Sequence, residues 1–199
     1  MATTIRPPRP DEKPTLQRRE RRWLPVLFVL ATLLAVVGGG YVTAAALSEP
    51  AGAPITVSRV VRIQPLSGWA FAGWGRLSSG EEFARLSRGV GSVDVIAFPR
   101  RGGTAQALAV AYTGQLDLEV TRLSVSSQLA PVRTASGSQG VRFSYTGVDP
   151  DTSASIDGEV TVILGPSGSG AVFNGWTPAG LLPYASHDIG FMVDKAIVA

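Results

Sequence analysis

The single histidine is the first place to look for acid–base or nucleophilic chemistry. His187 stands between Ser186 and Asp188. A serine nucleophile needs a base within hydrogen-bond reach and an acid that orients that base. Adjacent residues of a helix do not face each other, so this run of three does not form such an arrangement by itself. We expect His187 to be a polar residue in the first turn of a helix.

Two loops resemble ligand sites without matching them. Residues 165–170 (GPSGSG) follow a strand but lack the Lys-Ser/Thr end of a phosphate-binding loop, which predicts a hairpin turn. A 12-residue EF-hand loop that began at Asp149 would need glycine at 154 and glutamate at 160, where this chain has Ala154 and Val160. We expect a solvated turn there, with a looser Ca²⁺ site as the alternative, and predict neither a metal nor another cofactor.

Three tryptophans are the candidate ligand-lining residues. Trp69, Trp74 and Trp176 each follow a glycine. Large aromatic side chains usually supply core area, and an exported domain also uses them to stack on sugar rings. Both roles stay open for these residues.

Composition excludes further chemistry. The chain has no cysteine, which rules out disulfides, thiolate metal sites and a cysteine nucleophile. Residues 1–22 hold seven cations and three acids, whereas the rest of the chain is close to neutral. A nucleic-acid-binding domain needs its own basic face. The basic character therefore belongs to a tail, and we predict no nucleic-acid partner.

A long uncharged segment follows the tail. The 26 residues between Arg22 and Glu49 carry no charge, and about 20 helical residues cross a ~30 Å hydrocarbon core. We predict a transmembrane helix over 23–47 in contact with membrane lipid. Cations cluster only on its N-terminal side, which predicts a cytoplasmic N-terminus and an extracytoplasmic C-terminal domain in the plasma membrane. The topology-determining residues are Arg18, Arg19, Arg21 and Arg22.

Two alternatives to this anchor are a buried helix of a soluble protein and a cleaved signal peptide. Three glycines, 38–40, precede an Ala-x-Ala site at Ala44–Ala46. Such a site is typical of signal peptidase cleavage. Whether the segment is an anchor or a cleaved signal peptide, the remainder of the chain is expected outside the cytoplasm.

The rest of the chain divides into a linker and one domain. Segment 1–22 is rich in proline and charge, which predicts a disordered cytoplasmic tail. Residues 48–54 form a linker, and 55–199 form the exported domain. Thr104 caps a predicted helix over 104–116, and Ser186 caps another over 186–198. Segment 81–89 favours a hairpin over the helix that Ser79-x-x-Glu82 would cap. The predicted strands are 55–63, 92–99, 118–127, 131–134, 140–147, 156–164 and 170–174, and 70–78 is predicted to be a further strand or an extended loop.

Consecutive strands with short turns imply an antiparallel sheet. The predicted fold class is therefore α+β: one N-terminal transmembrane helix plus an antiparallel β-sheet domain covered by two helices.

The motifs of residues 55–199 resemble those of a family of uncharacterised actinobacterial single-pass membrane proteins. The motifs are a Pro-x-x-Gly-Trp turn (65–69), a Gly-rich hairpin (89–91), a G-x-R-F-x-Y-x-G strand (140–147) and a G-E-V-T-V strand (158–162). The order of elements also resembles PsbP-like α+β domains. The resemblance implies an accessory or binding role and no catalytic residue.

The expected function is a membrane-anchored exported accessory domain without catalytic activity, which contacts a protein or a glycan of the cell envelope. One alternative is a membrane-tethered regulator that acts through its cytoplasmic tail. Another is an envelope enzyme that uses serine, aspartate and glutamate residues distant in sequence.

Overall fold

The computed structural model describes residues 52–99 and 103–199. The predicted tail (1–22), anchor (23–47) and topology-determining arginines lie outside these residues, as does most of the predicted linker. Within the two described ranges, no helix has both the length and the apolar character needed to cross a membrane. The transmembrane helix stays a prediction.

A small three-stranded sheet opens and closes the described chain. It contains β1 (Ile55–Val57), β2 (Val61–Ile63) and β11 (Ile197–Val198), with β2 in the middle. The single strand predicted over 55–63 is therefore wrong, because the chain reverses within it. Ser58 and Arg59 adopt positive φ values of 46° and 59°, which makes the tight turn between β1 and β2.

The other eight strands form one antiparallel sheet, as predicted. Its order is β3-β4-β5-β10-β9-β8-β6, and β7 also pairs with β8. Gly89, at a φ of 56°, turns the β4–β5 hairpin, so the hairpin reading of 81–89 is confirmed and the capped-helix alternative is wrong. The strands are β3 (Ala70–Arg76), β4 (Glu82–Arg88), β5 (Gly91–Phe98), β6 (Thr121–Val125), β7 (Ala130–Arg133), β8 (Gln139–Val148), β9 (Ser155–Leu164) and β10 (Gly170–Pro178).

Helix α1 (Ala105–Glu119) begins where the sequence predicts. The Thr104 Oγ1 accepts a hydrogen bond from the Ala107 N–H at 3.1 Å, which satisfies one free donor of the first turn. The helix continues beyond the predicted end at Leu116, so the first residues of the predicted strand 118–127 are helical. Leu108, Tyr112 and Leu116 supply the buried face that packs on the sheet.

Helix α2 (Leu182–Asp194) begins and ends four residues before the predicted bounds. Pro183 stands in its first turn, where a missing N–H costs little. Ser186 is therefore not the N-cap, and His187 lies past the first turn. Ile197, which the predicted helix 186–198 included, belongs to β11 and is 55% exposed.

The eight-stranded sheet is covered on both faces. One face packs against α2 and the small sheet, around the buried Phe173 and Met192. The other face packs against α1, around the buried Ile96 and Leu116. The two-helix α+β prediction is confirmed for this domain, and the small sheet is the part it missed.

Candidate functional site

A cavity of about 420 Å³ lies between the C-terminal half of α1 and the sheet. We name it the Arg85 cavity after the cation in its wall. Strands β4, β5, β8 and β10 supply its inner side chains, and the end of β3, α1 and the β8–β9 turn supply its rim. The inner side chains are Phe83, Arg85, Asp94, Tyr145, Asn174 and Trp176, and the charged rim side chains are Arg76, Glu119, Asp149 and Asp151.

An ion pair forms the polar centre of the Arg85 cavity. Arg85 and Asp94 stand directly opposite each other in the β4–β5 register. The Arg85 Nε and Nη2 donate to the two Asp94 carboxylate oxygens at 2.6 and 2.7 Å. Burial raises the pKa of Asp94 against the opposing effect of Arg85, and the Asp94 hydrogen bonds raise the pKa of Arg85. The pair holds the guanidinium in one orientation with its remaining N–H groups unused by Asp94.

Two aromatic rings flank that guanidinium. The Arg85 Cζ lies 5.5 Å from the centroid of Phe83 and 5.6 Å from that of Trp176. Both distances fall within the range of cation–π attraction. The Arg85 side chain remains 42% exposed. The Arg85 side chain is therefore held in position by Asp94 and lines the cavity while partly exposed.

Two glycines allow aromatic rings to lie flat on the sheet beside the ion pair. A Cβ at Gly75 would come within 2.2 Å of the Phe83 ring, and one at Gly158 within 2.1 Å of the Tyr145 ring. The Tyr145 hydroxyl, so placed, donates to the Asn174 Oδ1 at 2.9 Å in a buried environment. Burial raises the pKa of Tyr145 well above its ordinary range, so this phenol stays neutral.

The acidic turn 149–153 closes one side of the rim. The Asp149 carboxylate accepts from the Asp151 N–H at 2.9 Å and from the Thr152 hydroxyl at 3.0 Å. These bonds lower the pKa of Asp149, with the Asp151 N–H as the largest cause. Across the two described ranges, no three metal-ligating side chains come together. The turn therefore presents carboxylates that organise their own backbone.

The three candidate tryptophans lie in three different cavities. Trp176 lines the Arg85 cavity. Trp74 is 59% exposed and lines a separate cavity beside the β1–β2 turn. Trp69 is 5% exposed, lines a third cavity and donates its indole N–H to the Asp188 Oδ2 at 3.1 Å. The structure does not bring the three together into one site.

The His187 region does not assemble a catalytic triad. Asp188 bonds to Trp69 and Arg88, and Ser186 donates to the Pro183 carbonyl at 3.4 Å. His187 instead lines a shallow cavity with Glu159 on the face of the sheet opposite the Arg85 cavity. Segment 165–170 forms the β9–β10 turn, and its Ser167 hydroxyl donates to the Ala199 carbonyl at 2.7 Å.

Sequence reasoning missed the inner residues of the Arg85 cavity other than Trp176. A signal for Asp94 was present, because it is a lone acid within the apolar strand segment SVDVIAF. A charge at a buried strand position needs a partner. Arg85 stands opposite Asp94 in the β4–β5 hairpin. The sequence predicts this hairpin but does not fix the register between its two strands.

No protein-family model and no curated protein matches the chain. The structure is similar to the solution structure of cyanobacterial PsbP (CyanoP) from Synechocystis sp. PCC 6803. The sequence identity is 11%, the match covers 77% of this chain and 99% of that chain, and the TM-score is 0.49. The PsbP-like order of elements stays a prediction, and neither fold nor function is transferred from this neighbour. Membership of an actinobacterial membrane family stays a prediction.

Proposed function

We propose that residues 55–199 form a non-catalytic binding domain outside the plasma membrane, tethered by residues 23–47. We further propose that its Arg85 cavity holds a hydroxyl-rich glycan of the cell envelope. The observation that carries this proposal is the fixed, partly exposed Arg85 guanidinium between two aromatic rings. Binding cavities typically combine apolar walls with a few positioned polar groups.

The polarity of the cavity supports a neutral ligand with many hydroxyls. Arg85 offers hydrogen-bond donors, and the rim carboxylates of Glu119, Asp149 and Asp151 offer acceptors. A hydroxyl group both donates and accepts, so it fits either kind of partner. The charged rim consists of these three carboxylates and Arg76, so an anionic ligand would meet net negative charge there, which disfavours it. The exposed part of Trp176 supplies an aromatic wall for a sugar ring.

The arrangement of carboxyl groups supports binding without catalysis. Asp94 is the inner carboxylate with a raised pKa, but both its oxygens accept hydrogen bonds from Arg85. Glu159, whose pKa burial also raises, lies on the opposite face of the sheet. Catalytic acid–base pairs need two groups that reach one substrate. Asp94 and Glu159 therefore cannot act as one acid–base pair on a single substrate.

Calorimetric titration of the full chain in detergent micelles tests the proposal, with enzymatically solubilised cell-wall glycan as the probe. We expect saturable binding that Trp176→Phe and Arg85→Lys each weaken, because the first shortens the aromatic wall and the second removes the planar donor edge. The matched control is Trp74→Phe, which changes a tryptophan outside this cavity and should bind as the parent chain does.

Three results would contradict the proposal. Absence of binding would refute the glycan as the ligand, and equal binding by the Trp176→Phe variant would refute the cavity as the site. New glycan fragments in the mass spectrum after incubation would refute the absence of catalysis. Deletion of residues 2–17 separately tests the regulator alternative, which predicts lost cytoplasmic partners while glycan binding stays intact.

A further inference from the structure

An exposed pair of aromatic side chains lies on the opposite face of the sheet from the Arg85 cavity. Strand β3 is the end strand of the eight-stranded sheet. Its register with β4 shifts between Phe71 and Gly73, so Phe71 faces Leu86 and Trp74 faces Ala84. Leu86 and Ala84 belong to the core face that α2 and the small sheet cover. The bulge therefore brings two aromatic residues three positions apart onto one face.

The pair is unusually open to solvent for its size. Phe71 is 45% exposed and Trp74 is 59% exposed, and their ring centroids lie 5.4 Å apart. Neighbouring exposed aromatic side chains mark an interaction surface more often than scattered single ones. Trp74 combines an apolar ring with an indole N–H, which suits the boundary between hydrocarbon and water.

The β1–β2 hairpin extends this surface with cations. Thr56 of β1 lines the same cavity as Trp74. Arg62 stands across from Thr56 on the exposed face of the small sheet, and Ile197, 55% exposed, stands across from Arg62. Segment 55–63 carries two arginines and no acid. The acid in the Trp74 cavity, Glu82, is paired with Arg76 at 3.1 Å, so the two arginines of the hairpin leave this surface cationic. We name Phe71, Trp74, Arg62 and Ile197 the aromatic edge.

The tether limits how far the aromatic edge can lie from the bilayer. Seven residues, 48–54, separate the predicted anchor from β1. A fully extended chain spans about 3.5 Å per residue, so β1 begins within about 25 Å of the end of the anchor. The aromatic edge borders β1 and is therefore within reach of the lipid headgroups. This step rests on the proposed tether.

We propose that the aromatic edge docks on the outer surface of an anionic lipid bilayer. Each arginine near such a surface gains about 1 kcal/mol, and aromatic rings partition into the headgroup region. A two-fold pairing of this edge with a second copy would place like cations against each other. The lipid surface is therefore the occupant that matches both the aromatic and the cationic residues.

Brominated-lipid quenching of tryptophan emission tests the docking. The full chain with Trp23→Phe, which removes the tryptophan of the predicted anchor, is reconstituted in phosphatidylglycerol-containing vesicles with brominated acyl chains. We expect bromine quenching that falls about twofold or more on Trp74→Phe, because Trp74 is the most exposed of the described tryptophans. The matched control, Trp176→Phe, should keep the quenching. Replacing phosphatidylglycerol with phosphatidylcholine should weaken it.

The outcomes separate the docking from the tether. If the chain resists carbonate extraction but Trp74→Phe leaves the quenching unchanged, the docking is refuted and the tether stands. If carbonate removes the chain from the vesicles, the tether is refuted, and the docking is refuted with it where Trp74→Phe also leaves the quenching unchanged. Trp74 emission that depends on the protein-to-lipid ratio without bromine quenching would assign the edge to a second copy and refute lipid docking.

Discussion

The contact between Gly158 and Tyr145 gives the sharpest test of how the cavity is built. Gly158 and Tyr145 are cross-strand neighbours in β9 and β8. A Cβ on residue 158 would lie 2.1 Å from the Tyr145 Cζ and 2.5 Å from its hydroxyl oxygen. Gly158→Ala therefore forces the Tyr145 ring to move. That movement strains the bond from the Tyr145 hydroxyl to the buried Asn174.

The expected loss of stability follows from three contributions. Overpacking a buried site costs about 1–3 kcal/mol, and weakening one buried hydrogen bond costs about 1 kcal/mol. Replacing glycine within a strand returns about 0.5–1 kcal/mol through the reduced entropy of the unfolded chain. We therefore expect Gly158→Ala to lower the free energy of unfolding by about 2 kcal/mol.

Urea unfolding of the full chain in detergent micelles, followed by tryptophan emission, measures this loss. Gly114→Ala is the control, because a Cβ at this helical position meets nothing within 4 Å. It should raise stability by about 0.5–1 kcal/mol. In a Tyr145→Leu background, which removes the ring, the cost of Gly158→Ala should largely disappear. Equal costs in both backgrounds, or a Gly158→Ala variant as stable as the parent chain, would refute the reasoning.

Three further predictions concern the polar contacts. Asp94→Asn should lower the free energy of unfolding by about 1–3 kcal/mol in urea, less than a fully buried ion pair because Arg85 is partly exposed. Burial raises the pKa of Glu159 in the folded chain, so its contribution to stability is present below about pH 4.5 and is lost as pH rises through the folded value. In thermal unfolding across pH, Glu159→Gln should lose less stability over this range than the parent chain, and the share that comes from the raised pKa of Asp94 should remain. Trp69→Phe removes the donor to Asp188 and should cost about 1–2 kcal/mol by the same urea assay.

Local patterns predicted those elements whose signals are contained within a few residues. Thr104 marks the start of α1 because its side chain satisfies a neighbouring N–H. Glycine at position 89 marks the β4–β5 turn because it adopts positive φ. The patterns were wrong where contacts between residues distant in sequence determine the local structure. The predicted helix over 186–198 extends past the observed end at Asp194, because Ile197 and Val198 pair with β2 and form a strand.

The Arg85 cavity was harder to predict because its parts come from strands that are distant in sequence. Asp94 and Asn174 are neighbours only because β5 pairs with β10. The sequence predicts Trp176 as a candidate ligand-lining residue. Its cation–π contact with Arg85, however, depends on the pairing of β5 with both β4 and β10. A one-residue slip in either pairing would turn one of these side chains to the other face.

The two strand motifs of β8 and β9 and the inner wall of the Arg85 cavity depend on the same contact. Tyr145 belongs to the G-x-R-F-x-Y-x-G strand, and Gly158 begins the G-E-V-T-V strand that receives its ring. The same contact that packs β8 on β9 thus shapes the inner wall of the Arg85 cavity. Substitutions there change stability and binding together. The rim residues Glu119 and Asp151 leave this packing unchanged, so variants at the rim are the ones that can separate ligand recognition from folding.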